Sequence, residues 1–190
     1  MGPSIQKCMV AAMTDRLAKS DWLRHGLKVL AREGPGALKV VPLASALGVS
    51  RGSFYWHFRD IADFRAELLA AWRQTSTEQV IEALDARQGE PGLLRQFARQ
   101  AFRGRRTLDR AVRAWAAEDA AVAKVVAQVD ARRVSRLARL LVESGVARER
   151  ALPRAAFLYW AWLGQANVMD PRHAALPAPA LDDIARLFEA

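Results

Sequence analysis

The fold is decided by residues 42–58, PLASALGVSRGSFYWHF, where a short apolar helix pattern leads through a glycine into a block of aromatic residues. A proline suits the first turn of a helix, so one helix is predicted to run from Pro42 to Leu47. Gly48 can adopt the positive φ of a tight turn at little steric cost. Ser50 is placed to cap a second short helix. The stretch therefore predicts two helices that cross at a glycine turn, which is a helix-turn-helix unit.

The side chains of this unit divide into an apolar set that joins the two helices and a polar set that projects from the second. Phe54 and Phe58 are expected to be buried behind the second helix, and Ala44 is small where the two helices approach closely. In such a unit the amino-terminal end of the second helix enters the major groove of DNA. Arg51 is then expected to donate two hydrogen bonds to guanine. The phosphates would be held by Ser50, Ser53, Tyr55 and neutral His57.

The rest of the chain has apolar residues at helical spacing and lacks the alternation typical of strands, which predicts an all-α protein. A first helix ends at Gly34, and its apolar stripe consists of Leu23, Leu27 and Leu30. Asp60 is expected to cap a long fourth helix that reaches about Asp85. Further helices are predicted at residues 93–103, 108–117, 120–143, 148–168 and 181–188.

The sequence ALKVVPLASALGVSRGSFYWHF, followed by RDIADFRAELLAAW, resembles the DNA-binding domain of tetracycline-repressor-like (TetR family) transcriptional regulators over about residues 20–72. The aromatic block FYWHF carries most of this resemblance. It implies an all-helical homodimer whose larger carboxy-terminal domain binds a small molecule that releases the protein from its operator. It also places seven residues on or just after the recognition helix: Ser50, Arg51, Gly52, Ser53, Tyr55, Trp56 and His57.

Two positions depart from the family pattern. Lys39 stands where the family usually has a threonine that opens the second helix and touches a phosphate, so a phosphate contact is still expected but the hydroxyl cap is lost. The fourth helix opens at Ile61, where the family commonly has a lysine directed at the DNA backbone. Either Arg59 or Arg65 must replace that lysine, or the contact is absent.

Residues 155–169 contain no charged side chain and are apolar on all sides of a helix. A helix of this kind must be buried on all sides, so one face is expected to meet the chain's own core and the other a second copy. The alternative is a central helix in a monomer. The predicted dimer interface consists of Ala155, Tyr159, Trp162, Ala166 and Met169. The opposite side carries Phe157, Trp160, Ala161, Gly164 and Val168.

A dimer would also increase the specificity of DNA recognition. One short recognition helix gives weak specificity, whereas two held about 34 Å apart can bind the matched half-sites of a palindromic operator.

The stripe on the fourth helix turns from apolar to polar toward its carboxy-terminal end, which suits a ligand pocket better than a dry core. We expect a small apolar or aromatic effector there, although ordinary core packing is the alternative for each residue. The pocket is predicted from Phe64, Leu68, Trp72, Thr75 and Gln79 of that helix, with Phe97, Phe102 and Trp115 of later helices.

The predicted architecture is therefore all-α, with three parts. A flexible tail occupies residues 1–13 and a three-helix DNA-binding domain residues 14–59. The long fourth helix joins that domain to a larger helical domain for ligand binding and dimerisation at residues 60–190. No cofactor or metal is expected, because the single cysteine, Cys8, and the scattered histidines form no ligand cluster.

The composition limits the remaining function classes. A net charge of +9 indicates either a polyanionic partner such as double-stranded DNA or an anionic membrane surface. For a DNA partner, a nonspecific or architectural DNA-binding protein is the alternative to a regulator. The basic run at residues 95–113 is interpreted as a solvated helix face. No catalytic motif is present, which argues against an enzyme. The single cysteine, which cannot form an internal disulfide, predicts a location in the reducing cytoplasm, and the lack of an apolar run of sufficient length predicts that no segment spans a membrane.

Overall fold

The computed structural model describes residues 17–104, 106–165, 167–168 and 176–189. All regular structure in these residues is helical and none of them forms a strand, so the predicted all-α class is confirmed. No helix in the described part of the chain has the length and apolarity needed to cross a membrane. The predicted tail, with Cys8, and the predicted interface residues Ala166 and Met169 lie outside the described residues.

The helices follow the predicted order, and their ends differ from the predicted ends by a few residues. Two short segments interrupt the α-helices: a 3-10 turn at Pro35–Ala37 and a π-helical turn at Gln74–Glu78. The α-helices are α1 (Lys19–Glu33), α2 (Val40–Ala46), α3 (Arg51–Tyr55), α4 (Ile61–Arg73), α5 (Gln79–Asp85), α6 (Leu93–Arg103), α7 (Thr107–Ala116), α8 (Ala120–Glu143), α9 (Arg148–Gln165) and α10 (Ala178–Glu189).

The start of α4 confirms one of two predicted caps. The backbone N–H of Asp63 donates to the Asp60 carboxylate at 2.8 Å, and the Asp63 carboxylate accepts from the backbone N–H of Arg59 at 3.0 Å. The first bond satisfies a donor that a helix start leaves without an intrahelical partner, and the second holds the residue before the cap against the first turn of α4. Ser50 occupies the corresponding position before α3, but its side chain makes no capping hydrogen bond there. The predicted side-chain cap of α3 is therefore wrong.

The predicted long fourth helix consists of α4, the π-helical turn and α5. Inside the turn, the Ser76 hydroxyl donates to the carbonyl of Trp72 at 2.6 Å. Thr77 is buried, and its hydroxyl accepts from Nε of Arg133 on α8 at 2.9 Å. A π-helical turn carries one extra residue relative to an α-helix. Arg133 therefore holds the fourth helix at the place where its regular hydrogen bonding changes.

Two apolar clusters form the core. Core cluster 1 joins α1 to α4 and extends into α7 and α8, with Trp22, Phe54, Phe64, Trp72 and Val112 fully buried. Core cluster 2 lies between α5, α6, α8 and α9, and includes Leu84, Leu94, Leu141 and Ala155. Core cluster 1 contains residues on both sides of residue 60, so no gap in packing separates the helix-turn-helix unit from the rest of the chain.

The buried face of α1 differs from the predicted leucine stripe. It consists of Trp22, Gly26 and Leu30, while Leu23 and Leu27 are half-buried. A Cβ atom on Gly26 would lie 2.5 Å from Cζ of Phe64 on α4. The glycine is therefore required for the close contact of α1 with α4, because no side chain fits between them.

Candidate nucleic-acid interface

The turn between α2 and α3 has the predicted glycine conformation. Gly48 has a φ of +70°, which is the left-handed region that side chains other than glycine rarely adopt. Its N–H donates to the carbonyl of Ser45 at 3.1 Å, and the N–H of Val49 donates to the carbonyl of Ala44 at 3.0 Å. These two bonds are the Schellman pattern that ends a helix at a glycine. The chain therefore leaves α2 in a fixed direction and enters α3 three residues later.

Helix α3, the predicted recognition helix, is anchored by the aromatic side chains that are predicted to be buried behind it. Phe54 and Phe58 are buried. The ring of Phe54 meets that of Trp22 on α1 edge-on at 5.4 Å between centroids, and that of Phe64 on α4 at 5.6 Å. Because α3 has only five helical residues, this aromatic packing and not its own hydrogen bonding holds it in place.

The projecting side chains lie at the amino-terminal end of α3 and just after its last turn. Ser50, Arg51 and Gly52 are exposed and Ser53 is half-buried. Tyr55 is 58% exposed and Trp56 is 75% exposed, which is unusual for residues of this size. Among the described residues no carboxylate pairs with Arg51, so its guanidinium is available to a partner. The structure therefore brings together a cationic, hydrogen-bonding and aromatic surface on one end of a small helix.

His57 is held within the chain. Its Nε2 lies 2.8 Å from the carbonyl oxygen of Leu17, which can only accept a hydrogen bond. A neutral imidazole donates through one nitrogen, so Nδ1 of the neutral ring is an acceptor. The predicted phosphate contact of neutral His57 would require this bond to break. The observed bond instead fixes the chain just before α1 against the end of α3.

The basic residues around α3 clarify the two departures from the family pattern. Lys39 is exposed at the start of α2. Nη2 of Arg65 lies 3.4 Å from the carbonyl of Pro35 and 3.5 Å from that of Leu38, so Arg65 ties α4 to the loop after α1. The Arg59 side chain is 86% exposed and pairs with Asp63 at 3.5 Å, so Arg59 is the better placed of the two predicted substitutes. The N–H of Arg59 holds the pKa of Asp63 below its ordinary value, which keeps this ion pair charged.

The residues predicted to form an effector pocket do not share one environment. Phe64, Leu68 and Trp72 are fully buried in core cluster 1, whereas Thr75 and Gln79 are exposed. The stripe divides because the Trp72 indole N–H donates to Asp109 at 2.7 Å inside the protein, and the chain then passes into the π-helical turn. Of the remaining three, Trp115 is buried in core cluster 1, Phe97 packs against core cluster 2, and Phe102 is half-buried.

A cavity of about 560 Å³ lies elsewhere, between α1, α7 and the end of α9, and none of those eight residues lines it. We refer to it as the interdomain cleft.

The described part of the predicted dimer stripe, Ala155, Tyr159 and Trp162, packs within the chain itself, so this part of the prediction requires correction. Ala155 is fully buried. The Tyr159 hydroxyl donates to Asp130 at 2.7 Å and accepts from Arg113 at 2.9 Å, and its ring stacks on that of Trp162. Burial raises the pKa of Tyr159 to about 12. None of these groups is free to meet a second chain.

The opposite side of α9 is exposed. Trp160 is 66% exposed, Phe157 and Leu152 are exposed to a similar extent, and a Cβ on Gly164 would meet no atom within 4 Å. Phe157 also stacks on Phe188 of α10 at 5.8 Å between centroids. We call the set Leu152, Phe157, Trp160 and Gly164 the apolar face of α9. Sequence periodicity could not distinguish it from the buried side, because both sides of this helix are apolar.

Comparison with known proteins supports the helix-turn-helix interpretation of the amino-terminal part of the chain. Residues 23–68 match the family model of bacterial regulatory proteins of the tetR family. The match runs from within α1 into α4, so it contains the glycine turn and the recognition helix. No curated protein shows a significant match to the chain. The predicted resemblance is therefore confirmed for the segment that carries the helix-turn-helix unit.

Proposed function

We propose that this chain, a DNA-binding transcriptional regulator of the tetR family, binds a palindromic operator as a homodimer and is released from it by a small organic effector. The observation that carries the proposal is the exposed end of α3, where Arg51 has no carboxylate partner among the described residues and Tyr55 and Trp56 project into solvent. Such side chains at a recognition helix are suited to base edges and phosphates.

Base recognition depends on how closely the helix approaches the groove. Gly52 has no side chain at the second position of α3, and Ser53 is small. The backbone of α3 can therefore come near the base edges while Arg51 reaches guanine. Lys39 and Arg59, exposed on either side of α3, supply cations for the phosphates.

Dimerisation is supported by the apolar face of α9. Clustered apolar side chains of this size on a protein surface indicate an interaction site, and Gly164 permits close approach of another helix. A two-fold axis at this face would pair each residue with its counterpart in the second copy. Two recognition units fixed in this way would read two half-sites, which gives a palindromic operator.

The experiment that tests the proposal starts from genomic DNA captured by the purified protein, which supplies the operator sequence. Affinities of Arg51→Ala and the starting protein are then measured on operator and scrambled duplexes over a range of salt. We expect Arg51→Ala to lose about 1 to 3 kcal/mol on the operator and little on the scrambled duplex. The matched control is Arg73→Ala, an exposed arginine at the end of α4, which should bind as the starting protein does.

The nonspecific alternative gives a different result. An architectural protein held by phosphates alone would show the same affinity and the same salt slope on both duplexes. Arg51→Ala would then weaken both complexes equally, and that outcome would refute sequence-specific regulation by α3.

A further inference from the structure

The interdomain cleft has walls from both functional halves of the chain. The end of α1, the helix whose Trp22 packs against Phe54 of α3, forms one wall, and α7 and the end of α9 form the others. Its volume of about 560 Å³ lies within the range of small-molecule sites, which is about 300–1,000 Å³. The apolar part of the lining consists of Leu30, Ala31, Ala111, Ala114, Trp162 and Leu163.

The cleft carries more positive than negative charge. Among the described residues three arginines line it, and of these Arg113 is neutralised by Asp130 at 2.6 Å. Asp109, the one carboxylate among the described lining residues, is already paired with Arg133 at 3.1 Å. No carboxylate in the described part of the chain contacts Arg106 or Arg110. Two arginines of the cleft therefore have no contacting carboxylate partner within the described residues.

The half-buried side chain of Arg106 is held in place by three hydrogen bonds. One Nη donates to the carbonyl of Trp162 at 2.8 Å, and the other to that of Ala101 at 2.7 Å and to Gln165 at 2.8 Å. All of these acceptors are neutral, and Nε is buried without a hydrogen-bond partner. Burial lowers the pKa of Arg106, although the charge of Asp109 opposes that effect. A fixed, partly desolvated cation without a carboxylate is stabilised when an anion binds beside it.

The start of α7 adds to the positive electrostatic potential in the cleft. Arg106 is the residue before the first turn, and no side chain caps the ten-residue helix. The first N–H groups of a helix lack intrahelical acceptors and carry the positive end of its dipole. Thr107, in that first turn, also lines the cleft. Arg106, Arg110 and the helix start thus lie together at the beginning of α7, and Leu30 and Ala31 of α1 also line the cleft.

We propose that the interdomain cleft binds a small organic carboxylate with an apolar body. The carboxylate lies against Arg106, Arg110 and the start of α7, and the apolar body lies against Leu30 and Ala31 of α1. The ligand then acts as the effector, a role that rests on the proposed function, whereas binding itself does not.

The position of the cleft explains how a bound ligand changes the affinity for the operator. The residues of α1 that line the cleft are on the same helix as Trp22, which contacts Phe54 of the recognition helix. A ligand that fits better when α1 has moved relative to α7 shifts the population toward a dimer with differently spaced recognition helices. Operator affinity falls only to the extent that the ligand prefers that conformer.

Binding is tested on the full-length protein by thermal shift and isothermal calorimetry. The probes are octanoate and 4-phenylbutyrate, each compared with its neutral amide. We expect both acids to raise the melting temperature and both amides to have little effect. Arg110→Gln, which removes an exposed charge and no side-chain bond to another described residue, should weaken acid binding about ten-fold. The matched control is Arg139→Gln, an exposed arginine on α8 away from the cleft.

Each outcome has a defined meaning. Failure of both acids to bind, equal binding of acids and amides, or equal loss in Arg110→Gln and Arg139→Gln would overturn the carboxylate site. Acid binding without any change in operator affinity would overturn the effector role alone. If the protein bound no specific DNA while the acids still required Arg110, the proposed function would fail and the site would stand.

Discussion

Replacement of Trp160 by glutamate is expected to dissociate the proposed dimer. Trp160 lies at the centre of the apolar face of α9 and is 66% exposed in the single chain. Burying two-thirds of a tryptophan of about 250 Å² at about 25 cal/mol per Å² is worth about 4 kcal/mol for each chain. Both copies contribute in a two-fold interface, so the upper limit is about 8 kcal/mol.

If half of that limit is realised, Trp160→Glu raises the dimer dissociation constant about a thousand-fold. The introduced carboxylates add to this loss, because two like charges would face each other across the axis. Sedimentation velocity over a series of protein concentrations measures the change. The glutamate is on the surface of the single chain, so the far-ultraviolet circular dichroism should be unchanged.

The matched control is Trp56→Glu. Trp56 is a second tryptophan of similar exposure, at 75%, but it follows the recognition helix and not α9. This variant should remain a dimer and lose DNA affinity. A Trp160→Glu protein with the dissociation constant of the starting protein would show that the interface lies elsewhere, and equal dissociation of both variants would show a general effect of surface charge.

Two further predictions concern stability. Gly48→Ala should lower the free energy of unfolding by about 1 to 2 kcal/mol, because φ is +70° and a Cβ there meets no atom within 4 Å, so conformational strain alone acts. Gly36→Ala, at an equally open site without a positive φ, should be neutral or slightly stabilising in the same urea titration, and equal losses in both variants would contradict the turn. For Tyr159, whose pKa is raised to about 12 by burial, the unfolded chain gives up its proton first, near pH 10. Stability should therefore fall by about 2 to 3 kcal/mol as the pH rises from about 10 to 12. Tyr159→Phe should flatten that fall relative to the starting protein, although it weakens the protein at neutral pH, and parallel pH profiles would refute the assignment.

The amino-terminal part of the fold could be predicted because each of its signals is local. A glycine turn, an aspartate cap and apolar residues at helical spacing are read from neighbouring positions. The burial of Phe54 and Phe58, the positive φ of Gly48 and the capping by Asp60 all follow from such signals. The buried position of Gly26 cannot be predicted from hydropathy, because glycine has no side chain. Phe64 of α4 occupies the space that a Cβ atom on Gly26 would need.

The carboxy-terminal part depends on contacts between distant helices. A helix that is apolar on all sides does not indicate which side is covered, so Ala155 and Tyr159 could not be distinguished from Phe157 and Trp160. The basic run at residues 95–113 was interpreted as a solvated face, but Arg106 and Arg113 are half-buried because α8 and α9 supply their acceptors. The π-helical turn in the fourth helix has no local sequence signature, since Arg133, far along the chain, helps to hold it.

Core cluster 1 has a thermodynamic consequence for the whole molecule. The aromatic interior beneath the recognition helix is completed by Phe64, Leu68 and Trp72, and it continues into Val112 and Val126. A fragment ending after α3 would expose this interior to water, so it should not fold independently, and the intact chain should melt in one calorimetric transition across residue 60. Ligand binding to the later helices should therefore stabilise the whole cooperative unit, which also contains the exposed end of α3.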